Sequence, residues 1–228
     1  MLDLCPQANA TGMLLGGMEA GERGLDDLSN RTPRQTISGY IEDRIRSPYV
    51  NPYTGTSYVI NAQRNQYTPQ NLFLVAGDEQ LEIQASRVLG ATTPGPTDAW
   101  RVVPTWISDL IEDVSRSWNQ PETTVFIDCN PSFSIYTELA MSAANRLIIP
   151  FSADGSSRRA VRAVLALLYG VTRVPGAQQS QYFLNSEQFR LSTPRIYRYI
   201  GNRLTQHIRS AKAFRTVVSE IGEEIWSV

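Results

Sequence analysis

The chain has 228 residues, 42% hydrophobic and 19% charged, with a formal net charge of −1. That composition excludes the disordered and collagen-like classes and suits one α/β domain with a sizeable core. No run approaches the roughly 18 uninterrupted apolar residues of a membrane helix, so no membrane partner is expected.

The first residues, MLDLCPQANAT, read as the end of a buried strand that Pro6 stops. TPRQTISGYIEDRI predicts a helix with Thr32 as N-cap, Pro33 at the first helical position and an apolar stripe of Ile37, Tyr40, Ile41 and Ile45. Residues 47–69 are rich in Pro, Asn, Tyr and Gly and read as a long loop with a short strand near Tyr58–Ile60. NLFLVAGD (71–78) predicts a strand ending in a Gly-Asp turn, and EQLEIQASRVLG a helix closed by Gly90. Asp98 is a candidate N-cap for the helix AWRVVPTWISDLIEDVSRSW, which has Pro104 near its start. TTVFID reads as a strand buried on both faces. SIYTELAMSAA is then read as a helix, NRLIIPF as a strand and SRRAVRAVLALLYG as a helix. RIYRYIGN predicts a further strand and SAKAFRTVVSEIGEEIW the last helix.

Alternating strands and helices argue for βαβ units, hence a mostly parallel sheet with helices on both faces. Ligands of such sheets sit at the carboxyl ends of the strands. Residues that end strands are therefore the informative ones: Asp3 and Cys5, Gly77 and Asp78, Asp128 and Cys129, Pro150 and Asn202. Asp128 ends the apolar run of VFIDCNPSF. A carboxylate there needs a cation or hydrogen-bond donors, and in phosphate-transferring α/β proteins it holds Mg²⁺ through water. The plainer reading is an Asp that caps the next turn. Cys5 and Cys129 have neither CxxC nor zinc spacing and read as reduced thiols of a cytosolic protein. His207, the one histidine, has no catalytic or zinc motif around it. The tyrosines of the 47–69 segment serve either a partner contact or loop packing.

Charge is unevenly spread. Residues 1–154 sum to −8 and residues 155–219 to +10, with Lys212 the one lysine against 20 arginines. Such asymmetry suggests a polyanion partner. The competing reading has the arginines dispersed over the surface or paired with acids of the first half.

Several of these stretches resemble ParA-type partition ATPases. TVFIDCNPSFSIYTELAMSAANRLIIPFSADGSS is similar to the Walker B strand of that family together with its next helix and strand, with Asn130 where the family usually has Pro. LDLCPQANAT resembles its strand DLDPQGNAT, NLFLVAGDEQLEIQ a later strand and helix, and YIGNR the strand whose Asn meets the base in the wider ParA/MinD group. The matches run in family order to about residue 220. The resemblance implies a single ParA-like nucleotide-binding domain over 1–228 that binds ATP and Mg²⁺. It implies a protein that dimerises when complete, binds DNA without sequence preference, and answers to a ParB-like stimulating partner on the nucleoid. Carried over, Asp128 is the Walker B acid near Mg²⁺, Asp3 the first acid of the DxD strand, and Asn202 faces adenine. Arg190, Arg195, Arg198, Arg209, Lys212 and Arg215 supply the DNA surface.

Two departures limit the reading. No G-x-x-x-x-G-K-[ST] run or KGG variant occurs, and Lys212 stands in RSAKAF without glycines. No backbone N–H cradle or bridging lysine for phosphates is therefore present, and little ATP hydrolysis is expected. The expected reason is an N-terminal truncation that removes the first strand, the phosphate loop and the first helix. Cys5 also replaces the second acid of the DxD strand. Beside a partitioning ATPase stands a second reading, a non-catalytic DNA-associated binding protein of the same fold.

Overall fold

A computed structural model describes residues 1–93, 96, 98–119, 122–129, 134–152, 155–172, 174, 176–201, 216, 219–220 and 222–223. They divide into two compact units, Met1–Ala143 and Ala144–Val228.

In the first unit, β1 (Leu2–Asp3) is followed by α1 (Asn9–Leu14), α2 (Met18–Ser29) and α3 (Ile37–Arg46). Then come β2 (Ile60–Asn61), β3 (Phe73–Leu74), α4 (Gln80–Gly90), α5 (Ala99–Val102) and α6 (Trp106–Trp118). β4 (Ile127–Asp128) and α7 (Ile135–Ala143) complete it. β1 pairs parallel with β4, setting Leu2 beside Ile127 and Asp3 beside Asp128. The other edge of β1 meets the end of β3: Asp3 N–H donates to the Val75 carbonyl at 3.1 Å, and Leu2 bridges Val75 in parallel. β1 is thus a central strand, and three carboxyl ends converge. β2 pairs antiparallel with β3.

The predicted apolar stripe of α3 is real. Ile37, Tyr40 and Ile41 are fully buried and pack with Trp106, Ile107 and Leu110 of α6 and Ile135, Tyr136 and Leu139 of α7. Arg44, on the same helix, is also buried. Its guanidinium donates to Asp109 at 2.8 Å and lies 5.4 Å from the Trp106 ring centroid. The 47–69 segment is held by carboxylates of its neighbours. Asp113 accepts from Asn51 and from the Gly55 N–H, and Asp43 from the hydroxyls of Thr54 and Tyr58. Tyr58 is buried edge-on against Tyr40, whereas Tyr53 and Tyr67 are exposed. Part of the tyrosine-rich loop is therefore packing.

The second unit contains β5 (Arg146–Phe151), α8 (Gly155–Tyr169), α9 (Gln181–Phe189) and β6 (Arg195–Gly201). β5 and β6 run parallel. Ile149 and Phe151 pack on Val161 and Leu165 of α8, with Ile196 and Tyr199 alongside. α9 is N-capped by Ser180, whose hydroxyl accepts from Phe183 N–H and donates to the Ala166 carbonyl of α8.

Several sequence expectations need correction. The helix expected from Thr32 begins at Ile37, because Thr36, in extended conformation, is the N-cap. The long helix over 99–118 is split by a 3₁₀ turn at Val103–Thr105 that contains Pro104. The short strand of the 47–69 segment is preceded by a 3₁₀ turn, Gly55–Tyr58. TTVFID is not buried on both faces: Phe126 is 60% exposed, and Ile127 and Asp128 are half-buried. The last predicted helix lies mostly outside the described residues.

Candidate functional site

Three strand ends meet beyond β1, β3 and β4. Asp3 is fully buried, and both its oxygens are engaged. Oδ1 accepts the Cys5 N–H at 3.0 Å, and Oδ2 accepts the Thr11 N–H at 2.9 Å and the Thr11 hydroxyl at 2.7 Å. Thr11 Oγ1 in turn accepts the Gly77 N–H at 2.9 Å. Gly77 has no room for a side chain, since a Cβ there lies 2.9 Å from the Asp3 carboxyl carbon. Asp3 therefore ties the loop after β1, the start of α1 and the loop after β3 into one knot.

Asp128 sits beside it in register but is only half-buried. Burial, and then the Asp3 charge, push its carboxyl above the ordinary aspartate value. Two neighbouring carboxyls in this arrangement lower the cost of a cation at Asp128. The thiols add no charge. Burial is the main cause that raises the Cys5 pKa, with Asp3 and Asp128 adding to it. Burial, then Asp128 and Cys5, push Cys129 up to about 12. Both are neutral thiols at pH 7, so neither is a ready nucleophile or soft metal ligand. No group of three or more His, Cys, Asp or Glu able to hold a metal occurs among the described residues.

A second knot lies next door. Asp78, fully buried, accepts from Thr36 Oγ1, Ser38 Oγ at 2.7 Å, Arg34 Nη1 at 2.9 Å and the Gln80 N–H at 3.0 Å. It anchors the segment that leads into α3.

The remaining sequence-predicted site residues belong to the second unit. Arg190 is exposed just after α9, and Arg195 and Arg198 are exposed on β6. Asn202, Arg209, Lys212 and Arg215 lie outside the described residues, as do Asn130 and His207. Sequence reasoning missed Thr11, although a hydroxyl eight residues after a strand-terminal acid is a usable signal. It also missed Arg146 on β5 and Tyr197 on β6.

No family model and no curated protein matches the sequence. Solved structures do match. The apo form of McdA from Cyanothece aligns over 98% of this chain and 68% of its own, at 16% identity and a TM-score of 0.60. The chain has a ParA/MinD-like α/β fold. A plasmid partition protein from Borrelia burgdorferi aligns over 100% of this chain and 84% of its own, at 12% identity and a TM-score of 0.46. An ATP complex of a Cyanothece McdA variant aligns over 97% and 84%, at 17% identity and a TM-score of 0.49. Asp3, Asp128, Cys5 and Cys129 stand at the carboxyl ends of parallel strands, the side on which α/β sheets in general bind ligands.

Proposed function

We propose that the chain is a ParA-like partitioning protein that engages DNA without sequence preference through its second unit. One observation carries the reading: the division into units is also a division of charge. Residues 1–143 carry a formal charge of −8 and residues 144–228 one of +7. The arginines also differ in what they meet. In the first unit Arg23, Arg34, Arg44, Arg46, Arg87, Arg101 and Arg116 each pair with a carboxylate, and Arg31 donates to the Gln35 side-chain amide. In the second, Arg158 pairs with Glu220, but Arg190, Arg195 and Arg198 have no carboxylate partner among the described residues. Unpaired arginines on a basic unit are what phosphate binding uses, and the affinity they give falls steeply with salt.

The fit to ATP and Mg²⁺ is partial. Asp128, half-buried beside Asp3, suits a Mg²⁺ held through water. Phosphates find no cradle of backbone N–H groups and lysine in these 228 residues, since no glycine-rich lysine loop occurs in them. Little ATP hydrolysis by these 228 residues is therefore expected. The same observation favours the second reading, a non-catalytic DNA-associated binding protein. Self-association, a ParB-like stimulating partner and a nucleoid location belong to the first reading. No helix among the described residues is long and apolar enough to cross a membrane.

The test has two arms on the 228-residue protein. Titration of a mixed-sequence duplex at about 50 and 200 mM salt is expected to show binding that weakens at least tenfold. Salt-insensitive or absent binding refutes the DNA reading. Calorimetry with ATP and Mg²⁺, alongside a phosphate-release assay, separates the two readings. Nucleotide binding without turnover supports the partitioning protein, and no nucleotide binding supports the non-catalytic one.

A further inference from the structure

The ladder between β5 and β6 contains a slip. Arg146 stands opposite Arg195 and Leu147 opposite Ile196, but Ile148 stands opposite Arg198 and Pro150 opposite Ile200. Tyr197 is the extra residue, and it has no partner across the ladder. One face of this sheet packs on α8 through Ile149, Phe151 and Tyr199. The other carries Arg146, Ile148, Arg195, Arg198 and Ile200, all exposed. Strict alternation would send Tyr197 to the same face as Arg195 and Arg198 to the opposite one. The bulge puts both on the open face. There the Tyr197 ring, 55% exposed, receives two guanidinium groups, Arg146 at 4.8 Å and Arg198 at 5.7 Å from its centroid.

Two like charges against one ring repel each other, and no carboxylate among the described residues relieves them. A guanidinium stacked by its plane keeps its N–H edge free, and such edges fit the oxygens of a phosphate in pairs. Arg195, one step along the same face, adds a third cation. We infer that this open face of the β5–β6 sheet is a phosphate clamp for the backbone of duplex nucleic acid, with Arg146 and Arg198 as ligands and Tyr197 as the positioning residue that holds them. The inference rests on the DNA reading above and narrows it to three side chains. Charge complementarity selects the occupant: an extended lattice of phosphates matches three arginines along one face that have no carboxylate partner among the described residues, and contact to the backbone alone makes the binding indifferent to sequence.

The experiment measures anisotropy of a labelled mixed-sequence duplex against the full 228-residue protein across a salt series. Folding of each variant is checked by circular dichroism. Arg146→Gln and Arg198→Gln are each expected to weaken binding about 3- to 10-fold and to reduce the log–log salt slope by about 1. Tyr197→Leu, which keeps every charge, is expected to weaken binding about 3-fold with the slope unchanged, and Tyr197→Phe, which keeps the ring, to restore it. Arg101→Gln removes a guanidinium already held by Asp98 and is expected to bind as wild type does. Wild-type binding that both arginine variants match in affinity and slope overturns the clamp and leaves the broader reading intact. A loss with Arg101→Gln as large as with Arg146→Gln overturns it in favour of bulk charge. No salt-dependent binding by the wild type, or binding to anionic lipid vesicles and not to duplex, overturns both.

Discussion

Glu138 on α7 is a half-buried carboxyl with no ion-pair partner among the described residues. Burial alone pushes it up to about 7. The folded state therefore holds its proton more tightly than the unfolded state does. The stability linked to that proton is fully present below about pH 4.5, where both states are protonated, and is lost as pH rises through about 7. Glu138→Gln removes the dependence. In urea titrations the variant is expected to exceed the wild type at pH 8 by up to about 3 kcal/mol, with the gap closing toward pH 4.5. Parallel pH profiles for the two proteins would show that Glu138 ionises freely in the fold. Nothing in SIYTELAMSAA announced this, because the shift comes from burial, which tertiary packing decides. The position of Asp3 and Asp128 at strand ends was legible, since each closes an apolar run. Their difference was not. Which carboxyl is consumed by Thr11 and Cys5, and which is left half-open, depends on how α1 folds back over β1.

At the scale of elements, the long periodic segments were readable and the short ones were not. α3, α4, α7, α8, β5 and β6 follow from stripes and apolar runs, because burial of one face is written in residue spacing. No element is expected from the sequence where α1 and α2 lie, a stretch whose Gly12, Gly16, Gly17, Gly21 and Gly24 disfavour a helix. Gly21 is there for close packing. A Cβ on Gly21 falls 2.3 Å from the Gly12 carbonyl oxygen, so the two helices touch backbone to backbone. Gly21→Ala tests this. Helix propensity alone favours alanine by about 1 kcal/mol, whereas a backbone clash of this kind costs typically 1–3 kcal/mol. The clash wins, because main-chain atoms cannot swing aside as a flexible side chain does. A lower thermal midpoint for Gly21→Ala is expected, while Gly90→Ala, at a position with nothing within 4 Å, is expected to hold or raise it. A stabilised Gly21→Ala would mean that α1 and α2 are not packed against each other.

For the molecule as a whole, the decisive quantity is the separation of charge rather than its sum. With a net charge of −1 and an isoelectric point near 5.9, an evenly charged chain of this composition passes through a cation exchanger at pH 7. A unit of formal charge +7 does not behave as the sum predicts, because an exchanger senses the local field within about 10 Å, the screening length at 0.1 M salt. The wild-type protein is therefore expected to be retained at pH 7 and low salt, more than one pH unit above its isoelectric point, and to elute as salt rises. Arg146→Gln and Arg198→Gln each lower the net charge by one unit and should elute earlier. Arg101→Gln lowers it by the same unit but unpairs Asp98 in the acidic unit, and should elute with the wild type. That contrast isolates placement from amount, since all three variants have the same net charge. Flow-through of the wild type would mean that carboxylates neutralise the arginines of residues 144–228 in solution, which removes the physical basis for a polyanion partner.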